Sequence, residues 1–210
     1  GVMDPQQRLL LEIGYATMHS SSHRRITLMG GDSGVLLAIE RPDWLQVMPP
    51  SARGTVYALT GDNVSAAAGR VSFVLGLQGP CSSIDTACSS SVVATHWASH
   101  AVKGDECVDA LPLAVSLKLV PYLTLGAAAA GMVSIDGRCK TFDARANGYV
   151  RSEGASAAVL RRTESTASAL FRSSAVRQDG RSASLTAPNG SAQRALLNIA
   201  LGFAGITPSQ

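Results

Sequence analysis

Apolar positions near the start of the chain recur at helical intervals. Leu9, Leu10, Ile13 and Met18 fall every three to five positions within residues 6–18, which predicts a helix with one apolar face. Asp4 can cap it, and Pro5 takes the first position, where a missing N–H costs nothing. Polar residues from His19 to Arg25 close it. The apolar runs 26–29 and 34–39 then predict two short strands that could pair. Pro42, Pro49 and Pro50 mark a loop. Small residues at 65–69 suit a helix, with 70–77 as a strand or helix end. Gly76 and Gly79-Pro80 give a turn into a strand over 81–85.

Next comes Thr86-Ala87-Cys88-Ser89-Ser90-Ser91, followed by an apolar-periodic stretch over 92–102 that stops at Gly104. That order predicts a strand, a sharp turn and a helix. Residues 109–119 predict a second apolar strand, closed by Pro121. The Ala- and Gly-rich run 123–135 is thirteen residues long. A bilayer span needs roughly 20 apolar residues, so a buried helix is expected instead. Hairpin strands around Gly154, a strand over 171–176 and a final helix over 193–203 stopped by Gly205 complete the pattern. No repeat, low-complexity tract or linker interrupts it. Alternating strands and helices imply an α/β layered fold.

Composition fits one globular domain. Of 210 residues, 46% are hydrophobic and 16% charged, and the net charge is +3. So small a surplus argues against nucleic acid as a partner, and the basic pairs Arg24-Arg25 and Arg161-Arg162 are too short to form a patch. The four cysteines, Cys81, Cys88, Cys107 and Cys139, form no C-x-x-C motif, so neither a zinc ribbon nor a dithiol redox site is indicated. Few cysteines in a chain this long suit a reducing compartment.

Cys88 is the candidate for chemistry. It stands where a strand ends and a helix begins. The first N–H groups of a helix lack internal partners, and the peptide dipoles make that end positive. Both effects favour a thiolate, the nucleophilic form of cysteine. The small neighbours Thr86, Ser89, Ser90 and Ser91 leave room for a thioester, and the Cys88 N–H is placed as an oxyanion donor. A buried, inert cysteine is the competing reading of the same spacing. His96 and His100 share a helix face, but H-W-A-S-H lacks the glutamate of a zincin, so structural roles are expected for both. No metal or cofactor site is expected.

Residues 84–91, IDTACSSS, resemble the active-site signature of β-ketoacyl synthases of the polyketide synthase branch. MDPQQRLLLE at 3–12, TGDNVSAAAGRVSF at 60–73, DGRCKTFDARANGYVRSEG at 136–154, and SAVRQDGRS with LTAPNG across 174–190 resemble further landmarks of that family, in its order. The resemblance covers nearly the whole chain. It implies a thiolase-like layered fold, with residues 1–210 forming the nucleophile-bearing, N-terminal half of a domain whose first strand and histidine-bearing half lie elsewhere. It also implies decarboxylative Claisen condensation between an acyl-Cys88 thioester and a malonyl-type extender on an acyl carrier protein. No cofactor is implied. The expected partners are the carrier protein, the histidine-bearing half and a second copy in a homodimer, in the cytoplasm or, had a targeting segment been removed, an organelle stroma.

The chain departs from the family pattern at several positions. Leu113-Ala114 stands where Gly-Gly is common, preceded by Pro112, which predicts a bent or edge-like strand. Arg177, Ser152 and Asn147 replace the usual Asn, Gly and Asp, and the connection 162–171 is short. Two other readings compete: a catalytically incomplete structural or interaction subunit, and a thiol acyltransferase or thioesterase using Cys88 alone.

Overall fold

The computed structural model describes residues 2–162 and 167–207. The chain divides into two compact units, Gly1–Leu160 and Arg161–Gln210.

In the first unit, helix α1 (Pro5–Ser20) starts as its sequence dictates. The Asp4 carboxylate accepts the Gln6 N–H at 2.8 Å, meeting one of the orphan donors of the first turn. The helix runs through His19, so that histidine lies in its last turn rather than in a loop. The expected strand at 26–29 is instead a single helical turn, α2 (Arg25–Leu28). Thr27 Oγ1 accepts the Arg24 N–H at 3.0 Å and so closes the turn locally. Ile26 is left 84% exposed, so three apolar residues within 26–29 did not make a strand.

Strand β1 (Ser33–Ile39) is buried along its whole length. Short helices α3 (Trp44–Val47), α4 (Pro50–Arg53) and α5 (Ala58–Gly61) fill the loop that follows. Helix α6 (Val64–Leu75) continues past position 70, so of the two readings of 70–77, strand or helix end, the second holds. Asn63 caps it, accepting the Ser65 N–H at 2.9 Å, and Gly76 ends it at φ 74°. A Cβ at Gly76 would come within 2.9 Å of the Met29 Cα, so glycine answers both the left-handed turn and the close approach.

Strand β2 (Cys81–Ile84) leads through a 3₁₀ turn, Ala87–Ser89, into α7 (Ser90–Lys103). Then follow β3 (Asp109–Ser116), α8 (Tyr122–Ala129), β4 (Gly154–Ala157) and β5 (Leu160–Arg161). The sheet order is β2-β1-β3-β4, with β5 also on β3. β1 runs parallel to β2 and β3, and β4 runs antiparallel to β3.

Both faces of this sheet are covered, which is why its strands have continuous apolar runs and not strict alternation. Val35, Leu37, Ile39, Leu111 and Leu113 meet Leu10 of α1 and Val71 of α6 on one face. Leu36, Ala38 and Ala110 meet Ala94, Ala98 and Val102 of α7 on the other. The result is three layers, with helices on both sides of a mostly parallel sheet. Pro112 lies in a central strand, opposite Leu36 of β1, so of the two expectations, a bent or an edge-like strand, the edge does not hold. Its carbonyl accepts the Ala158 N–H at 3.2 Å. Its missing N–H therefore faces the β4 side, just past Leu113↔Ala157, where that ladder stops.

The Ala-rich stretch forms a helix, α8, but not a buried one: none of its residues is buried. The expected hairpin around Gly154 is absent too, since β4 pairs with β3. In the second unit, helix α9 (Gly190–Ala204) is capped by Asn189, which accepts the Ser191 and Ala192 N–H groups, and ends at Gly205 with φ 65°. The expected strand at 171–176 is irregular, and Phe171 is exposed. Part of the shortened connection, 163–166, lies outside the described residues. Among the described residues no helix is long and apolar enough to cross a membrane.

Candidate active site

The turn between β2 and α7 is built from short polar side chains bonding to nearby backbone. Asp85 Oδ1 accepts the Ala87 N–H at 3.0 Å. Ser90 Oγ accepts the Thr86 N–H at 2.8 Å and donates to the Ala87 carbonyl at 2.7 Å. The Ser89 hydroxyl donates to the Thr86 carbonyl at 2.8 Å. Together these bonds hold Ala87 at φ 55°, a left-handed conformation that costs a non-glycine residue on the order of 1 kcal/mol. Locally over-determined strain of this kind aims the next side chain outward. That next residue is Cys88, which is exposed, in the turn that feeds the first residue of α7.

Cys88 opens onto a cavity of about 790 Å³ at the C-terminal ends of β1 and β3. Ala38, Ala114, Val115 and Met132 give it apolar walls. The other cysteines are placed differently. Cys107 is buried beneath Gly34, and burial pushes its thiol pKa up. Cys81 and Cys139 are exposed but do not line the cavity, and Cys139 Sγ accepts the Val150 N–H at 3.2 Å.

One wall of the cavity is charged, which the sequence reading missed. Glu40, at the end of β1, accepts from Lys118 Nζ at 2.8 Å and from the Ser116 hydroxyl at 3.2 Å. Arg151 lies 3.7 Å from the other Glu40 oxygen. Lys118 also donates its backbone N–H to Glu153 at 2.7 Å. Burial alone would raise the Glu40 pKa. The hydrogen bond and charge of Lys118, with Ser116 and Arg151, outweigh it and hold the carboxyl below its ordinary value. The four charged residues come from three separate stretches of the chain, 40, 118 and 151–153, so no single spacing in the sequence announces them.

None of the four histidines lines this cavity. His23 bonds Asp109 at 2.9 Å. His96 and His100 lie on α7 with ring centroids 4.3 Å apart and planes tilted by 44°. Burial, then the neighbouring charges of His100 and Lys103, lower the His96 pKa. Among the described residues no group of three or more His, Cys, Asp or Glu is arranged to hold a metal ion.

The structure thus has a sheet with helices on both faces and an exposed cysteine on a strained strand–turn–helix beside an open cavity, and comparison with known proteins gives the family. The profile described as β-ketoacyl synthase, N-terminal domain, matches residues 1–166. The chain therefore belongs to the β-ketoacyl synthase family. It is 41% identical over 98% of its length to a phenolphthiocerol/phthiocerol polyketide synthase polypeptide of Mycobacterium tuberculosis. It is 42% identical, over the same share, to the phenolphthiocerol synthesis polyketide synthase Pks15/1 of Mycobacterium bovis. In both cases it spans 10% of the relative's own length. The ketosynthase from module 6 of the Bacillus subtilis bacillaene synthase superposes with a TM-score of 0.85 at 36% identity, over 99% of this chain and 36% of that one. An oxazolomycin ketosynthase domain of Streptomyces albus superposes at 0.87 with 31% identity, over 98% and 37%. The fold is the thiolase-like α/β fold of the ketosynthases.

Proposed function

We propose that Cys88 takes up an acyl group as a thioester and that the chain forms the nucleophile-bearing part of a polyketide ketosynthase. The observation that carries this reading is the strained Ala87 turn, which presents the Cys88 sulfur at the mouth of α7 and over the cavity. The Cys88 thiolate attacks the carbonyl carbon of an acyl group on a carrier-protein phosphopantetheine. A new C–S bond forms and the phosphopantetheine thiolate leaves. A malonyl-type extender then loses carbon dioxide, and the electron pair left behind forms an enolate. The enolate carbon attacks the acyl-Cys88 carbonyl, a C–C bond forms, and Cys88 leaves as thiolate. The Cys88 N–H, next to the helix start, serves as an oxyanion donor.

The cavity has no histidine to manage protons, so the histidines come from another part of the domain packed against this one. Apolar surface supports such a partner. Val92 and Trp97 of α7 are 59% and 52% exposed, and α8 is apolar on all sides yet unburied. β2 is an edge strand, and its unpaired edge supports pairing with a second copy. Four free cysteines suit a reducing compartment such as the cytoplasm. A second reading, a non-catalytic ketosynthase-like scaffold, is favoured by the same lack of histidine at the cavity.

Labelling with an acyl thioester separates the two. The enzyme reading expects stoichiometric acylation of Cys88, reduced at least about 100-fold in Cys88→Ser, and β-keto product only when a histidine-bearing part is supplied. A folded chain that takes up no label would favour the scaffold.

A further inference from the structure

The charged wall opposite the apolar one is an unusual lining for a cavity that receives a hydrocarbon chain. Part-buried ion pairs rarely add stability over apolar side chains of similar size. Ligand cavities are mostly apolar, with a few polar groups that fix orientation. Lys118 has three N–H donors, two of which go to Glu40 and Ser116. Arg151 stands 3.7 Å from Glu40, beyond hydrogen-bond range. Its Nε is buried with no partner among the described residues. Against these donors stand the carboxylates of Glu40 and Glu153, and the latter is already engaged by the Lys118 backbone N–H. The charges of Glu40, Glu153, Lys118 and Arg151 sum to zero, so the wall has no net attraction for an anion.

Resting on the acyl-Cys88 reading, we propose that Lys118 selects an acyl chain bearing a neutral hydrogen-bond-accepting oxygen, a hydroxy- or oxo-acyl group, over a plain alkyl chain. Glu40 acts as the positioning residue. It holds the Lys118 ammonium at the end of β1 on the cavity wall, so its remaining N–H meets a ligand at little further cost in side-chain freedom. A saturated chain there would leave that Lys118 N–H unpaired and desolvated, which penalises it.

The test uses the full chain and two N-acetylcysteamine thioesters of equal length, hexanoyl and hydroxyhexanoyl. The readout is the rate of Cys88 acylation by intact mass. The wild-type chain is expected to favour the hydroxyacyl probe about tenfold, as one good hydrogen bond allows. Lys118→Met should bring the ratio near unity, and the milder Lys118→Gln should leave it intermediate. Melting curves of both variants establish that they remain folded. Equal wild-type rates, a preference for hexanoyl, or a ratio unchanged in both folded variants overturns the specificity proposal while leaving acylation standing. Acylation by neither probe overturns the underlying ketosynthase reading itself.

Discussion

The stretch up to Ser116 and the stretch from Tyr122 onward differ in what their apolar side chains find. In the first, β1 and β3 meet α1 and α6 on one face and α7 on the other, and fourteen residues form the larger core cluster. In the second, Ser134 is the one buried position among the described residues. Leu125, Ile135 and Leu185 are 63%, 93% and 103% exposed. Apolar composition alone therefore did not produce burial. It produced burial where a second element carried the matching face within the same stretch of chain. The charged wall of the cavity and the Cys88 turn lie at the seam, where C-terminal strand ends meet the later loops.

The largest effect expected from this contrast is on stability. Leu37→Ala, at a fully buried position in the sheet, should cost about 2–5 kcal/mol by chemical denaturation. Leu125→Ala on α8 should change the stability of the chain by less than about 0.5 kcal/mol. Comparable costs at the two sites would mean that α8 is covered after all.

A smaller effect concerns the cap of α1. Asp4 is fully buried. Burial raises its pKa, and its bonds to Gln6 only partly offset this. A carboxyl whose folded pKa is raised imposes a penalty that is present above that pKa and absent below the ordinary value. Asp4→Asn keeps the capping oxygen and removes the charge. Relative to wild type it should gain stability near neutral pH, with the gain vanishing below about pH 3.8, the ordinary value. Asp4→Ala, which removes the acceptor, should cost about 1 kcal/mol. A pH-independent difference for the Asn variant would contradict the assignment.

The smallest effect belongs to the seam. The Glu40 pKa is lowered, so its pairing with Lys118 stabilises the fold above the ordinary glutamate value of 4.5 and is lost as pH falls through the lower folded value. The stability gap between wild type and Lys118→Met should be flat above about pH 5 and shrink on acidification. A gap that grows on acidification has the wrong sign for this pairing.

The same contrast explains what the sequence made legible. Local signals worked wherever the physics was local. Asp4-Pro5 started a helix, Gly104 and Gly205 stopped two others, and the residues around Cys88 gave a strand, a turn and a helix in the right order. The errors fell where an outcome depended on partners. Residues 26–29 close into a helical turn and residues 171–176 form no regular element, although both stretches have apolar positions. Residues around Gly154 found β3 in place of each other. Pro112 suggested an edge because proline cannot donate, yet its silent side faces the end of a ladder. Glu40, Lys118 and Arg151 gave no signal because only the folded register brings them together.

The most direct test is to resolve acyl occupancy among the four cysteines after brief exposure to an acyl thioester. Cys81 and Cys139 are exposed like Cys88 but lack its place at the mouth of α7, which makes them internal controls for exposure alone. Label is expected on Cys88, with the other three essentially unmodified. Label spread across Cys81, Cys88 and Cys139 in proportion to their exposure would contradict a nucleophile activated by its place in the fold.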